Sequence, residues 1–230
     1  MIVAVIPAYN EEKTIAWAIR ETKKYVDKVI VVNDASSDDT EELAKKTGAM
    51  VVSHRTNMGL GCALRTGFKE AMKTKASIIL TMDADGQHEP RDIPKFIKKI
   101  NDGYDFVLGE RDLRKYPLIK KMGNFFLNWI TNFISGTSLK DTESGFRAFR
   151  ASQLERLYLK SDKYQIATEI VFEVGHKNLR AANVPIKSPI YVKGVGVMDG
   201  VRNFFFLMHR KDRTLLSYME DLRYVLKKYI

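Results

Sequence analysis

The chain has 230 residues, of which 45% are hydrophobic, so a sizeable core is affordable and general disorder is excluded. Its single cysteine, Cys62, excludes an internal disulfide framework and a multi-cysteine zinc site, and fits a reducing compartment. The net charge of +10 directs attention to anionic partners: phosphorylated substrates, an acidic membrane surface or nucleic acid. The last has little support, because none of the common nucleic-acid module signatures occurs.

Met1 to Pro7 is apolar but carries no basic leader, so it reads as a first strand (Ile2 to Ile6) rather than a signal peptide. No window reaches the roughly eighteen apolar residues that cross a bilayer, and the expectation is a soluble or peripheral protein. From Glu11 to Tyr25 a helical spacing places Ile15, Ala18, Ile19 and Thr22 on one face, with Asn10 as the expected N-cap. Between strand and helix, Pro7 and Tyr9 stand where a nucleotide base can lie, although the same residues serve a plain strand-to-helix turn. Lys28 to Asn33 is the second strand. Asp34 follows it, too far from the next helix to cap it, and suits either a base or ribose contact or a simple turn. Ser37 or Asp38 is expected to cap the helix that runs to about Thr47. Ala49 to His54 is a third strand. The turn Arg55 to Gly61 leads into a helix over about Cys62 to Met72, and its glycine spacing is not the dinucleotide fingerprint.

Ser77 to Met82 reads as a short buried strand, and Asp83-Ala84-Asp85-Gly86-Gln87-His88 follows at once. Period-2 geometry points both carboxylates the same way, so they can converge on a hard divalent cation that also holds phosphate oxygens. A solvated Asp turn has the same residues. The position at a strand's carboxyl end favours the ligand site. Pro90 opens a helix to Ile100, with Ile93, Phe96 and Ile97 inward, and Tyr104 to Gly109 is a fifth strand. The alternation of strand and helix predicts a mostly parallel sheet covered on both faces.

Past Gly109 the chain becomes basic, and the helix over Leu118 to Ile134 is rich in Phe and Trp. Asp141 to Arg150 is a dense polar cluster in an aromatic setting, readable as a site or as a self-paired surface turn. A short helix to Tyr158, a helix over Ile166 to Lys177 and an edge strand over Leu179 to Ile186 follow, the edge being assigned from Pro185. The remainder, to Ile230, continues with helical spacing.

Taken in order, Ile6-Pro7-Ala8-Tyr9-Asn10-Glu11, Val32-Asn33-Asp34-Ala35-Ser36, Asn57-Met58-Gly59-Leu60-Gly61, Met82-Asp83-Ala84-Asp85-Gly86-Gln87-His88 with Pro90, Gly109-Glu110-Arg111 and Asp141-Thr142-Glu143-Ser144-Gly145-Phe146-Arg147 form an ordered set. Any one of them is weak; together they are specific. The chain resembles the family 2 glycosyltransferases of GT-A fold. It is most similar to the dolichol-phosphate mannose synthase and polyprenyl-phosphate glycosyltransferase branch, over roughly residues 1 to 190. The fold this implies is α/β, a Rossmann-like, mixed but mostly parallel sheet flanked by helices, followed by a C-terminal helical tail. Residues 1–190 would be the catalytic domain and 191–230 an amphipathic, basic tail without a transmembrane span.

The resemblance implies roles position by position. Pro7, Tyr9, Glu11, Asp34, Asp83 and Ala84 would hold the nucleotide of a GDP- or UDP-sugar. Asp85 and Gln87 would bind Mg²⁺ or Mn²⁺, with His88 structural. Arg111, Ser144 and Arg147 would face the acceptor, and Asp85, Arg111, Asp141 and Arg147 would carry catalysis. The implied reaction is inverting transfer of a hexose, mannose or glucose, to a polyprenyl (dolichyl) phosphate. The alternatives are transfer to a saccharide hydroxyl, with Asp141 or Glu143 as general base, or a non-catalytic nucleotide-sugar-binding module. The chain departs from the branch after its last strands. There the branch has an Arg-x-Gly-Glu-Ser-Lys-like acceptor loop, whereas Val192 to Met198 keeps only the glycines, leaving Lys193 and Arg202 to supply charge. From Arg202 onward the tail combines aromatic and basic residues, a composition suited to the surface of a membrane. A peripheral place at its cytoplasmic face is expected.

Overall fold

A computed structural model describes residues 1–112 and 118–188. The expected tail, with Lys193 and Arg202, lies outside the described residues.

Seven strands form one sheet in the order β3-β2-β1-β4-β6-β5-β7. β1 (Ile2–Ala8), β2 (Lys28–Asn33), β3 (Met50–Ser53) and β4 (Ile78–Thr81) pair in parallel. Three of them read as unbroken apolar runs, because helices cover both faces and no position faces water: Val3 to Ile6, Val29 to Val32 and Ile79 to Leu80 are almost wholly buried. Burying a Val, Leu or Ile side chain contributes about 1.5–3 kcal/mol, so each of these positions stabilises the sheet appreciably.

One face is covered by α1 (Ile15–Thr22), α2 (Thr40–Lys46) and α4 (Ile93–Asn101), which a 3-10 turn at Pro90–Asp92 precedes. α1, through Ile15, Ala18 and Ile19, and α4, through Ile93, Phe96 and Ile100, insert a stripe of side chains spaced three or four residues apart. The other face is covered by α3 (Leu60–Lys73) and, further on, α7 (Ile166–His176). α3 lies close over β1 because Gly67 sits where a Cβ would come within 2.2 Å of Val5 Cγ1.

Three expectations change. The first helix starts at Ile15, and Asn10 does not cap it: Asn10 has a left-handed backbone (φ 56°) and its side-chain oxygen accepts the Ser37 amide at 2.8 Å. Asn10 is thus spent on joining the β1 and β2 loops. The helix expected to reach Tyr158 is the single turn α6 (Ala151–Leu154). The third change is the largest. Of the two readings left open for the Asp141 to Arg150 cluster the surface turn falls, for Phe146, Arg147 and Phe149 are at most 2% exposed and the cluster ends in an unexpected strand.

From Arg147 to Arg150 the chain forms β6, inserted antiparallel between β4 and β5 (Phe106–Arg111). β7 (Ala181–Ile186) pairs parallel to β5 at the sheet edge, where Pro185 is tolerated. α5 (Leu118–Ser135) packs on α7. No helix among the described residues is long and apolar enough to cross a membrane.

Candidate active site

Parallel strands all end at one edge, so Ala8, Asn33, Ser53 and Thr81 deliver the loops that follow them to a common place. β6 runs the other way, and its first residue, Arg147, therefore falls at that same edge, paired with Thr81 on one side and Leu108 on the other. Arg111, the last residue of β5, ends there too.

Asp83, Ala84 and Asp85 form the acidic part. The Asp83 side chain is 39% exposed. Both Asp85 oxygens accept from Gln87, Oδ1 from its amide at 3.0 Å and Oδ2 from Nε2 at 2.6 Å, so one side chain orients the other. Burial and then the charge of Asp83 raise the Asp85 pKa. Glu11 is raised likewise, by burial first, with Asp85, Asp38 and Asp83 adding to it. Burial and mutual repulsion thus both disfavour the ionised forms of Asp85 and Glu11. His88 is 2% exposed, tilted on Phe146 at 5.2 Å, and its Nδ1 accepts the Asp83 amide at 3.3 Å. That bond needs an unprotonated Nδ1, and burial lowers the His88 pKa accordingly. His88 supports the loop in neutral form.

On the expected nucleotide side, Pro7 is buried within β1, Tyr9 is 49% exposed and Ala84 is buried. Asp34 is engaged by its own chain. Oδ1 accepts the Met58 amide at 2.9 Å and meets His54 Nδ1 at 2.7 Å; Oδ2 accepts the Gly59 amide at 2.8 Å. The carboxylate therefore shapes the turn before α3, where Gly59 takes φ 90°. His54 Nε2 in turn meets Thr66 Oγ1 at 3.0 Å.

The basic part is held by ion pairing and burial. Arg111 grips Asp141 with two parallel bonds, Nε to Oδ2 at 2.6 Å and Nη2 to Oδ1 at 2.7 Å, while its backbone amide also donates to Oδ2 at 3.1 Å. Arg147 is 2% exposed, and its Nε has no hydrogen-bond partner among the described residues; nor do Ser144 Oγ and Glu143 Oε2. Burial disfavours the Arg147 charge, and Asp83 leads the groups that oppose this, ahead of Glu143 and Asp141. Burial also raises the Glu143 carboxyl, against a hydrogen bond from Thr168 Oγ1 at 3.1 Å. Gly145 joins the two parts: a Cβ there would lie 2.3 Å from an Asp83 oxygen.

The expected residues from β1, β2, β4, β5 and the Asp141 to Arg147 segment thus share one edge. Lys193 and Arg202 lie outside the described residues. Sequence reading passed over His54, which buttresses Asp34, and Asn128, whose Oδ1 accepts both the Thr142 amide and hydroxyl at 2.7 Å. His54 was accessible in principle: it follows β3, the parallel neighbour of β2, so it must end beside Asp34. Asn128 was not, since nothing in a helix reveals which loop it faces.

The sequence model named Glycosyl transferase family 2 matches residues 3–166. The chain belongs to this family. It is a glycosyltransferase, as are its named relatives. It is 41% identical over 224 residues to an uncharacterised protein of Methanocaldococcus jannaschii, covering 91% of this chain and 92% of that one. It is 34% identical over 248 residues to the UDP-N-acetylglucosamine–dolichyl-phosphate N-acetylglucosaminyltransferase of Methanococcus voltae, covering 94% and 98%. Among solved structures, glucosyl-3-phosphoglycerate synthase of Mycobacterium tuberculosis, in complex with Mn²⁺ and UDP-glucose, superposes with a TM-score of 0.71 at 22% identity, over 95% of this chain and 78% of that one. That likeness establishes the shared GT-A fold.

Proposed function

We propose that this glycosyltransferase moves a hexosyl group from a nucleoside diphosphate sugar to a polyprenyl phosphate, with inversion at the anomeric carbon. The observation that carries the reading is the junction of Asp83 with Gly145 and Arg147, which sets an acidic half and an arginine half side by side at one sheet edge.

The acidic half fits a hard divalent cation, Mg²⁺ or Mn²⁺. Among the described residues no three His, Cys, Asp or Glu side chains gather closely enough to enclose a metal. Mg²⁺ commonly takes just one or two carboxylates and completes its shell with water and substrate phosphates. Asp85 and Gln87 would hold it, and a cation would favour the ionised Asp85 that burial and then the charge of Asp83 disfavour. When bound, the cation neutralises the charge that develops on the departing diphosphate. Pro7, Tyr9, Glu11, Asp34, Asp83 and Ala84 would position the nucleotide, Asp34 by way of the turn it braces.

The acceptor assignment is supported by how the two candidate bases are engaged. A saccharide hydroxyl needs a general base. Asp141 is committed to Arg111, and Glu143 gives one carboxylate oxygen to Thr168 Oγ1 while the other is buried without a partner among the described residues. A phosphate monoester needs no base, since it is an anion already. One of its oxygens bonds to the anomeric carbon as the bond to the diphosphate breaks, the electron pair leaving with the nucleotide. Arg111, Arg147 and Ser144 would orient that phosphate, with Lys193 and Arg202 adding charge. The relatives' names support this choice, dolichyl phosphate standing in that of the Methanococcus voltae enzyme. The place of work is then the cytoplasmic surface of a membrane.

Calorimetry with UDP-glucose, UDP-N-acetylglucosamine and GDP-mannose, each with and without Mn²⁺, followed by transfer assays to a polyprenyl phosphate and a free sugar, tests the reading. Metal-independent donor binding, or transfer to the sugar alone, would overturn it.

A further inference from the structure

On α5, Leu118, Met122, Phe125, Phe126, Trp129 and Phe133 are all exposed, Phe125 to 74%. At 100° per residue they occupy one stripe about 100° wide. The opposite side carries the buried Ile130, Thr131 and Ser135 and packs on α7. The outer aromatic rings stand in a row, Phe126 to Trp129 at 6.3 Å and Trp129 to Phe133 at 5.8 Å between centroids. A contiguous apolar patch of this size marks an interaction surface.

The charge of the helix sequence and of the stretch before it identifies the partner. Leu118 to Ser135 contains no acidic residue, and at 100° per residue Lys121 stands at the edge of the apolar stripe, one turn before Phe125. From Arg114 to Lys121 the sequence has four basic residues and no acidic one. An exposed aromatic stripe on an acid-free helix, preceded in sequence by lysine and arginine, suits the headgroup region of an anionic bilayer, where rings enter the acyl boundary and cations meet phosphates. We propose that the outer face of α5 seats this chain on an anionic lipid surface, an inference that rests on the lipid-phosphate reading of the acceptor.

The attachment of α5 explains why such a seat serves the site. Asn128 holds Thr142, and Asn132 accepts the Leu139 amide at 2.9 Å and donates to its carbonyl at 2.7 Å. The helix is therefore pinned on both sides of Asp141, the partner of Arg111. A bilayer against its outer face is thus coupled through α5 to the segment that holds Asp141.

The test is flotation of the full chain with acceptor-free vesicles of phosphatidylcholine, with and without phosphatidylglycerol. Binding is expected to need the anionic lipid, to weaken in high salt, and to fall at least tenfold in F125S/W129S. Binding that this double substitution leaves unchanged overturns the proposal. In a W17F background, Trp129 is expected to be open to acrylamide in solution and to shift to the blue with anionic vesicles. Protection without vesicles means that a second copy or the chain's own C-terminal segment covers the face, and also overturns it; sedimentation equilibrium tells those two apart. F125S/W129S should retain transfer to a short-chain, water-soluble prenyl phosphate and lose transfer to a bilayer-embedded one. If the unaltered protein transfers to neither, the acceptor reading fails, whereas a failure of vesicle binding with soluble transfer intact removes the lipid seat alone.

Discussion

Arg111 and Asp141 form a two-point ion pair, with bonds of 2.6 and 2.7 Å, at the end of β5. Asp141 is 2% exposed and takes a left-handed backbone, φ 59°, to reach it. The pair fixes the guanidinium as a planar platform rather than leaving it on a flexible stem. Asp141→Asn keeps the shape and loses one charge, and is expected to lower the transfer rate about tenfold with little change in donor affinity. Asp141→Ala removes the two-point partner of a partly buried guanidinium and is expected to cost about 3 kcal/mol of stability. Chemical denaturation and steady-state kinetics separate the two.

At the acidic half, Asp85→Asn is expected to abolish the metal dependence of donor binding, because both Gln87 bonds and the carboxylate charge depend on that side chain. Titration of the nucleotide with and without Mn²⁺ measures it. Unaltered metal dependence would remove Asp85 from the role.

Gly145→Ala probes the contact between the halves. The added Cβ would stand within 2.3 to 2.6 Å of the Asp83 carboxylate, which must move. Since Asp83 is the more exposed partner, the fold should survive with an unchanged thermal transition. Donor binding should weaken about tenfold or more, comparable with the loss from Asp83→Ala.

Glu143 offers a pH signature. Burial raises its pKa in the folded protein. The folded state therefore holds its proton more tightly than the unfolded state does, and stability falls as pH rises from the ordinary glutamate pKa through the folded one. Below the ordinary value, Glu143 adds no slope. Glu143→Gln removes the titration, so its stability relative to the parent should increase across that window and level off above it. Denaturation curves at a series of pH values give the slope; parallel curves for the two proteins would refute the buried-carboxyl account.

Asp34 is expected to act through structure as well as contact. It accepts two backbone amides of the turn before α3, and Asp34→Ala would leave both without that acceptor. A loss of about 2 kcal/mol in stability is expected along with weaker nucleotide binding. His54→Asn, which can still donate to Asp34, should retain more nucleotide affinity than His54→Leu.

The strands and the acid triplet were legible in the sequence because their information is local. An apolar run such as Val29 to Val32 has to be buried on both faces, and two carboxylates just past a strand have to emerge at its carboxyl end, whatever surrounds them. Capping was less legible: Asn10 has the composition of a helix cap, yet the loop after β2 competes for its side chain and wins. β6 was not legible. Arg147-Ala148-Phe149-Arg150 has charges at both ends and reads as polar surface. Only the gap between β4 and β5 makes it a central strand, with long-range pairing that satisfies its backbone and neighbouring carboxylates that offset the buried Arg147 charge. By itself, then, the sequence determined the alternating strands and helices and the chemistry at their ends. The tertiary structure decided which ends meet. Reversing one short strand brings Arg147 to the edge where Asp83 already stands, and no spacing along the chain encodes that proximity.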